Sequence, residues 1–366
     1  MIREFQVRRD DIEKSRLFET AASCADKYSL ADGAIRVKVE RFSFTANNVT
    51  YAVAGDQLGY WQFFPASGDD ADGWGIIPVW GFAEVTESNC VDVPVGERLL
   101  GYFPPATPLD MMPAHVAERR LVDGALHRAK LPAGYNTDYR VRAEPGSDPA
   151  HDNDRMLLWP LHITSFCLWD ALKDNGWYGA EQVVVVSASS KTSIGLAYAL
   201  DDDDSAPRTV AITSQRNLEF VKRLGLYDES VSYESLVEID ARLPTAIVDM
   251  SGNGEVLGRL HTLLGDNMKR CINVGLTHWE ESEPGGGIIT ERSEFFFAPT
   301  HIQKRMQEWG PEGFAERTSS FMQETALKSR GWLKLKKING LDGLADIYKD
   351  VCEGRLAADQ GLIVEL

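Results

Sequence analysis

The stretch from Gln182 to Leu200, QVVVVSASSKTSIGLAYAL, decides the fold of the second half of this chain. Its β-branched run, Val183 to Val186, stops at small and hydroxyl-bearing residues, and helix-forming residues follow Gly195. A continuous apolar run of this kind is typical of a strand buried on both faces of a parallel sheet. The turn after it exposes backbone N–H groups at the positive end of a helix, which suits a phosphate or pyrophosphate. An ordinary strand–turn–helix connection fits the same residues, because the full G-x-G-x-x-G pattern is missing.

Further strands and helices alternate after this stretch. The sequence predicts strands at Arg208–Thr213, around Ser230–Tyr233, at Ala246–Met250 and at Arg270–Gly275, and a helix over Asn217–Leu224. This alternation indicates βαβ units in a doubly wound parallel sheet, where ligands bind beyond the carboxyl ends of the strands. We therefore predict an α/β protein with a Rossmann domain.

The end of the second predicted strand indicates the cofactor. Domains that bind NAD place an Asp or Glu about 20 residues after the glycine turn, where it binds the ribose 2′-hydroxyl. Here that place reads Thr213-Ser-Gln-Arg216, with a guanidinium and no acid. Arginine pairs with a phosphate through a planar fork, so Ser214 and Arg216 favour NADP(H). The alternative is that Arg216 is only a surface side chain. Lys191 either reaches the 2′-phosphate or the pyrophosphate, or is simply solvated.

Composition narrows the class of protein. The 366 residues leave room for about two domains. The net charge of −17 argues against a nucleic-acid or anionic-membrane partner, because phosphates would be repelled. The first residues lack the apolar core of a signal peptide, and no apolar run is long enough to span a membrane. Five scattered cysteines fit a reducing cytoplasm better than a disulfide framework or a structural zinc site.

The first 120 residues have a different pattern. Short alternating runs such as Ala34–Phe42 are bounded by turns that contain Gly or Pro. Such alternation with frequent turns indicates a small β-barrel or sandwich. Residues 101–160 are irregular and rich in Pro, Tyr and Asp, which is typical of loops that are functional or packed between domains.

Several segments together resemble the medium-chain dehydrogenase/reductase superfamily, and in particular its quinone and enoyl reductases. In chain order they are Gly33–Glu40 (“G-E-V-x-V-x-V”), Thr45–Tyr51 with Gly55 (“N-P-x-D…G”), Ile77–Val85 (“P-x-x-x-G-x-E-x-x-G-x-V”), Val95–Gly101 (“V-G-D-R-V-x-G”) and Ser187–Gly195, which is similar to the phosphate loop of zinc-free enoyl-thioester reductases. Leu131–Asn136 and Pro160–Phe166 suggest a separate branch of the superfamily.

The resemblance implies a domain arrangement and a cofactor site. A GroES-like β-barrel catalytic domain, residues 1–154 and 300–366, would surround a Rossmann domain, residues 155–299, that binds NADP(H). The proposed cofactor-binding residues in the Rossmann domain, besides Ser214 and Arg216, are Thr164, Ser187, Ser189, Lys191, Thr192, Gly195 and Gly275. The superfamily also suggests a homodimer formed through the Rossmann-domain edges.

Two segments depart from the zinc-dependent members of the superfamily. Those members carry Cys and His where this chain has Thr45–Asn48 and Trp80–Ala83, which offer no thiolate or imidazole. A catalytic zinc needs three protein ligands, so we predict no metal and a zinc-independent mechanism.

Hydride transfer without a metal needs a donor for the charge that develops on oxygen. Tyr51 lies in the segment that faces the nicotinamide in the superfamily, and Asn48 is a neutral donor beside it. The alternative is that Tyr51 is a barrel tyrosine with a satisfied hydroxyl. His278, which follows the fifth predicted Rossmann strand, is either an acid or substrate anchor or only a polar loop residue.

These inferences lead to one main functional hypothesis and two alternatives. The main one is a cytoplasmic, NADP(H)-dependent reductase that transfers hydride to an activated C=C or carbonyl of an enone, quinone or enoyl thioester. Trp279 with Phe295–Phe297 is either the wall of a pocket for an apolar part of this small-molecule substrate or a set of core aromatics. The alternatives are a proton-transfer or lyase enzyme acting on an acyl compound, and a catalytically silent NADPH-binding sensor.

Overall fold

The computed structural model describes residues 2–20, 29–143, 148–274 and 287–366. The chain folds as two compact units, one of Met1–Leu157 with Lys334–Leu366 and one of Leu158–Leu333. The strands, numbered along the chain, are β1 Ile2–Arg8, β2 Ser15–Thr20, β3 Ile35–Phe44, β4 Trp74–Gly75, β5 Val79–Ser88, β6 Arg98–Phe103, β7 Ala106–Thr107, β8 Leu109–Met111, β9 Pro113–Ala114, β10 Arg120–Asp123, β11 Thr137–Arg140, β12 Gln182–Val186, β13 Arg208–Thr213, β14 Glu229–Ser232, β15 Thr245–Asp249, β16 Met268–Asn273, β17 Ser293–Phe295, β18 Lys334–Asn339 and β19 Gln360–Glu365. The helices are α1 Ala46–Val53, α2 Asp152–Asp174, α3 Lys191–Asp201, α4 Gln215–Leu224, α5 Gly254–Leu264, α6 Ala298–Ser329 and α7 Gly340–Cys352.

The second unit contains a six-stranded sheet in the order β14-β13-β12-β15-β16-β17. All of its strand pairs are parallel. Counted from β12, this is the order 3-2-1-4-5-6 of doubly wound dinucleotide-binding folds. The predicted fold class is therefore confirmed, and the strand order reverses between β12 and β15.

The valine run of β12 is buried on both faces of this sheet. Val184 and Val186 pack in one apolar cluster with Leu257 and Leu260 of α5. Val183 and Val185 face the other way, in a cluster with side chains of α2 and α3. Because side chains alternate along a strand, an uninterrupted apolar run serves both clusters at once.

The first unit is built mainly from antiparallel strands. A nine-stranded sheet runs β18-β19-β3-β5-β6-β11-β10-β9, with β8 paired to β3. A smaller sheet joins β1 with β2, β4 and β7. The predicted strand at Ala34–Phe42 is observed as β3, and the stretch 101–160 contains five short strands, β7 to β11, in place of the predicted irregular loop.

The helix α6 extends the second unit beyond the predicted domain end at 299. Arg305 of α6 donates from Nε to Asp170 of α2 at 2.5 Å, and His301 Nε2 lies 2.6 Å from the same carboxylate. Phe321 also packs on Phe166 of α2, with ring centroids 5.6 Å apart. These charged and aromatic contacts hold α6 on α2, so the second unit ends at Leu333 and residues 334–366 belong to the first.

Candidate functional site

The turn from β12 into α3 is held by its own serine side chains. Ser190 caps α3 by accepting a hydrogen bond from the backbone N–H of Ser193 at 3.1 Å. Ser193 in turn donates from Oγ to the carbonyl of Ser187 at 2.9 Å. Ser187 itself has φ of +63°, a conformation that is uncommon outside glycine and often marks a functional turn. The turn is therefore held by hydrogen bonds among its own serines, without the glycines of the G-x-G-x-x-G pattern.

The predicted loop residue Ser189 joins this turn to the next strand. Its Oγ accepts hydrogen bonds from Thr213 Oγ1 at 3.1 Å and from Asn217 Nδ2 at 3.0 Å. Asn217 was not among the predicted site residues. Its position in the first turn of the helix that follows β13 could have indicated it. Ser214 is the N-cap residue of α4, and Arg216 lies in the first turn. Since β12 and β13 are parallel neighbours, Ser187–Thr192 and Ser214–Arg216 lie at one edge of the sheet.

Gly195 lies in the second turn of α3, facing α2. A Cβ at this position would lie 2.5 Å from Ser165 Oγ and 2.7 Å from His162 Cδ2. The glycine therefore allows α2 and α3 to approach each other closely, a packing role different from the predicted contact with a phosphate.

The turn after β15 contributes a buried carboxylate that sequence reasoning missed. Asp249 is fully buried, and its carboxylate accepts hydrogen bonds from the backbone N–H and the hydroxyl of Ser251 and from the N–H of Gly252. Burial raises the pKa of Asp249, and these three donors oppose the rise. Asp249 is paired with Val186 across the two strands, so its turn borders the point where the strand order reverses. The signal in the sequence is an Asp that ends a buried strand and is followed by Ser and Gly.

The helix α2 carries the predicted Thr164, which is partly exposed, and a buried histidine two residues earlier. His162 Nδ1 lies 2.8 Å from Thr325 Oγ1, which donates its own hydrogen to the carbonyl of Phe321. Since the Thr325 hydroxyl accepts at this contact, the imidazole proton of His162 lies on Nδ1 and Nε2 is an acceptor. Nε2 has no hydrogen-bond partner among the described residues. Burial lowers the pKa of His162 to about 3, so the ring is neutral. Gly275, His278 and Trp279 lie outside the described residues.

In the first unit, the predicted Asn48 is fully engaged within the fold. Its Oδ1 accepts from the backbone N–H of Thr45 at 2.8 Å, and its Nδ2 donates to the carbonyl of Pro78 at 3.0 Å. Thr45 completes a capping box with Asn48 at the start of α1. The amide thus holds α1 against the segment that leads into β5.

Tyr51 lies on α1 within a group of aromatic side chains, which we call the phenol cluster: Tyr51, Tyr60, Trp80, Tyr102 and Tyr135. The ring centroid of Tyr51 lies 4.6 Å from that of Tyr60 and 5.6 Å from that of Tyr102. The hydroxyls of Tyr60 and Tyr135 are hydrogen-bonded at 3.0 Å. Burial is the main cause that raises the pKa of all four tyrosines, so each phenol is neutral and able to donate.

Beside the cluster, one arginine lies among buried carboxylates. Asp123 accepts from the backbone N–H groups of Met112 and Ala125 and is paired with Arg128. The carboxyl of Asp138 faces Gly101, where a Cβ would lie 1.8 Å from Oδ1. Burial raises the pKa of Asp138 to about 8, and the charge of Arg128 opposes that rise. Asp123 therefore holds the negative charge that balances Arg128, while Asp138 keeps its proton at neutral pH.

No three His, Cys, Asp or Glu side chains of the described residues come together as a possible metal site. None of the helices in those ranges is long and apolar enough to cross a membrane.

The chain belongs to the family described as “Protein of unknown function (DUF2855)”, whose model matches residues 42–357. No curated protein sequence matches it significantly.

Solved structures resemble the chain over its whole length. CurA from Vibrio vulnificus in complex with NADPH is similar with a TM-score of 0.64 and 14% identity, over 99% of this chain and 98% of that one. A putative NADPH:quinone reductase from Bacillus thuringiensis has a TM-score of 0.56 and 14% identity, over 100% and 99%. A mutant enoyl thioester reductase from Candida tropicalis has a TM-score of 0.55 and 12% identity, over 100% and 99%. At these identities the likeness shows the fold alone, and it confirms the α/β fold with a Rossmann domain that the sequence predicts.

Proposed function

We propose that this protein is an NADP(H)-dependent reductase that acts on an activated C=C or carbonyl group. The observation that carries the proposal is the edge of the parallel sheet where the Ser187–Thr192 turn meets Ser214–Arg216. This edge offers hydroxyls, a helix N-terminus, an arginine and a lysine, and β13 ends without a carboxylate. That set of donors fits a pyrophosphate and a 2′-phosphate.

Each group of residues has a proposed task. The turn over Ser187–Thr192 would bind the pyrophosphate, Ser214 and Arg216 would bind the 2′-phosphate, and Thr164 and Gly275 are proposed as contacts of the nicotinamide. Hydride is the chemistry that NADPH supplies when it is bound. The relatives solved with NADPH or named for it support this choice of cofactor.

Tyr51 is proposed as the donor to the substrate oxygen. As a neutral phenol on α1, beside Trp80 and Tyr135, it can stabilise the negative charge that develops on an enolate or alkoxide oxygen. Asn48 serves as a positioning residue, because its amide holds α1 in place. His278 is kept as a candidate acid or substrate anchor.

The mechanism is further proposed to be independent of zinc. The segments Thr45–Asn48 and Trp80–Ala83 carry no thiolate or imidazole at the places where zinc-dependent members of the superfamily have their ligands. We also expect a homodimer, which the molar mass in solution would test.

The test compares the affinities of NADPH and NADH for the full chain. We expect NADPH to bind more tightly, and Arg216→Ala to reduce that preference by roughly 10- to 150-fold, the equivalent of losing a charge-assisted hydrogen bond worth about 1.5–3 kcal/mol. Arg223→Ala, in the last turn of the same helix, is the matched control and should leave the preference unchanged. Equal affinities of the parent protein for both nucleotides would refute the assignment.

Turnover then separates the reductase from its alternatives. NADPH oxidation is measured across a panel of enones, quinones and enoyl thioesters. A protein that binds NADPH tightly and oxidises it with none of them would be a sensor or a lyase on the same scaffold. If Arg216→Ala has no effect and Lys191→Ala abolishes the preference, the 2′-phosphate role moves to Lys191.

A further inference from the structure

The phenol of Tyr227 is hydrogen-bonded to the turn that follows β12. Its hydroxyl donates to the carbonyl of Ala188 at 3.3 Å and to that of Ser193, in the first turn of α3, at 3.2 Å. Burial raises the pKa of Tyr227, so the phenol stays neutral and remains a donor at ordinary pH. The fold thus connects the turn to a residue that lies 39 positions after Ala188 in the chain.

The position of Tyr227 is fixed by its surroundings. Its ring packs against the apolar cluster that contains Ala188 and Val221. The next residue, Asp228, accepts hydrogen bonds from the backbone N–H of Thr209 at 2.7 Å and from the Thr209 hydroxyl at 3.1 Å. Because these contacts hold both the ring and the backbone, the hydroxyl is a fixed point to which the turn is bonded.

The hydrogen bond to Ala188 sets the direction of the neighbouring N–H group. The peptide unit that joins Ala188 to Ser189 is trans, so its C=O and N–H point in opposite directions. Since the carbonyl is directed at the Tyr227 hydroxyl, the N–H of Ser189 points away from it. Ser189 is buried, and its N–H makes no hydrogen bond among the described residues. A buried N–H is costly without an acceptor, so this one is suited to an acceptor that a ligand supplies.

The turn needs a hydrogen bond of this kind because it lacks glycine. Phosphate-binding turns of doubly wound folds use glycines, which adopt positive φ and let the backbone approach the ligand closely. Here Ser187 has the positive φ of +63°, a strained conformation that persists only where the surrounding structure fixes it. The hydrogen bond from Tyr227 fixes the backbone at the next residue, Ala188.

From these contacts we infer that Tyr227 is a positioning residue of the cofactor site, whose hydroxyl holds the Ala188 carbonyl and thereby directs the N–H of Ser189 at the pyrophosphate. The inference rests on the proposed function, which assigns the pyrophosphate of NADP(H) to this turn. Tyr227 acts through the backbone of the turn. Because NADPH and NADH share the pyrophosphate, Tyr227 contributes to the affinity for both nucleotides and not to the choice between them.

Calorimetric titration of the full chain with NADPH and with NADH measures the contribution of the hydroxyl. Tyr227→Phe removes the hydroxyl and keeps the ring, and it should weaken the binding of both nucleotides by the same factor, roughly 2- to 12-fold. The preference for NADPH should stay as in the parent, in contrast to the effect of Arg216→Ala. The matched control is Tyr348→Phe in the first unit, because the Tyr348 hydroxyl also donates to a backbone carbonyl, that of Ile12 at 2.6 Å. This control should bind both nucleotides as the parent does.

Two further measurements distinguish a positioned turn from a general loss of structure. Adenosine 2′-monophosphate carries the 2′-phosphate but no pyrophosphate, so Tyr227→Phe should bind this fragment as the parent does. In the protein without nucleotide, backbone amides of Ser187–Ser193 should exchange hydrogen faster in Tyr227→Phe than in the parent or in Tyr348→Phe. Equal nucleotide affinities of the parent and Tyr227→Phe, or an equally large loss of affinity for the fragment, would overturn the inference.

If Tyr227→Phe fails to fold, the amide resonance of Ser189 in the parent protein decides. Labelling with nitrogen-15 serine makes it observable, and its loss in Ser189→Ala identifies it. The amide proton should move downfield when NADPH binds, because its N–H gains an anionic acceptor. A resonance that stays in place at saturating NADPH would overturn the inference.

The same measurements separate this inference from the proposed function. Binding of NADPH by the parent with unchanged binding by Tyr227→Phe would overturn the inference alone. Weaker binding by Tyr227→Phe as expected, without oxidation of NADPH by any compound of the substrate panel, would support the inference and contradict the reductase. A parent protein that binds neither nucleotide would overturn both.

Discussion

The substitution Asp138→Asn tests whether a buried carboxyl keeps its proton in the folded protein. Asp138 is 3% exposed, and burial raises its pKa to about 8 from the ordinary 3.8. In the unfolded chain the carboxyl releases its proton near its ordinary pKa. Between about pH 4 and pH 8 the folded protein therefore holds one proton more than the unfolded chain, and the free energy of unfolding falls as the pH rises.

The size of the change in the free energy of unfolding follows from the binding of a single proton. The free energy of unfolding changes by at most about 1.4 kcal/mol per pH unit, so the step from pH 5 to pH 7 costs the parent at most about 2.7 kcal/mol. Asparagine keeps the shape of the carboxyl beside Gly101 but does not titrate. We expect Asp138→Asn to gain stability relative to the parent as the pH rises from 5 to 7.

Urea unfolding at pH 5, 6 and 7, followed by circular dichroism, measures the difference between parent and variant. Groups that titrate in both proteins cancel in that difference. Asp204→Asn, at an exposed position, is the control for the same change of side chain. A difference between Asp138→Asn and the parent that stays constant from pH 5 to pH 7 would show that Asp138 is already ionised in the folded protein and refute the reasoning.

Three other outcomes are expected. Tyr51→Phe should lower turnover by about a hundredfold or more, the equivalent of about 2.7 kcal/mol, with unchanged NADPH affinity in a parallel titration; retained activity would make Tyr51 structural. Because burial lowers the pKa of His162 to about 3 from the ordinary 6.5, the parent should lose stability as the pH falls between these values. His162→Asn should reduce that loss in acid unfolding curves, and identical curves would contradict it. Chelator treatment should change neither the melting temperature nor the reductase activity, whereas stoichiometric zinc in elemental analysis would contradict a metal-free site.

Periodicity along the sequence was enough to predict the parallel sheet of the second unit. The β-branched runs at Val183–Val186 and Ala246–Val248, with the strand at Arg208–Thr213, are parallel strands of one sheet. A strand that is buried on both faces of a sheet needs apolar side chains on both. Such a strand is therefore recognisable as a run of consecutive apolar residues. The motifs of the first half likewise predicted the fold shared with the solved structures.

Distances between residues far apart in the chain could not be predicted in this way. Tyr51, Tyr102 and Tyr135 come from α1, β6 and a short turn before β11, and only the packing of these elements groups their hydroxyls. The sequence pointed to Tyr51 alone.

The protonation of buried groups could not be predicted from the sequence either. Asp138 and His162 carry ordinary side chains whose pKa values move because the fold removes water from them. The long helix α6 joined the second unit through Arg305 and Asp170, which are 135 residues apart. The sequence by itself determined the strands of the parallel sheet, because their apolar runs depend on neighbours along the chain. Protonation, unpartnered donors and the course of α6 depend on neighbours in space, and only the tertiary structure brings those together.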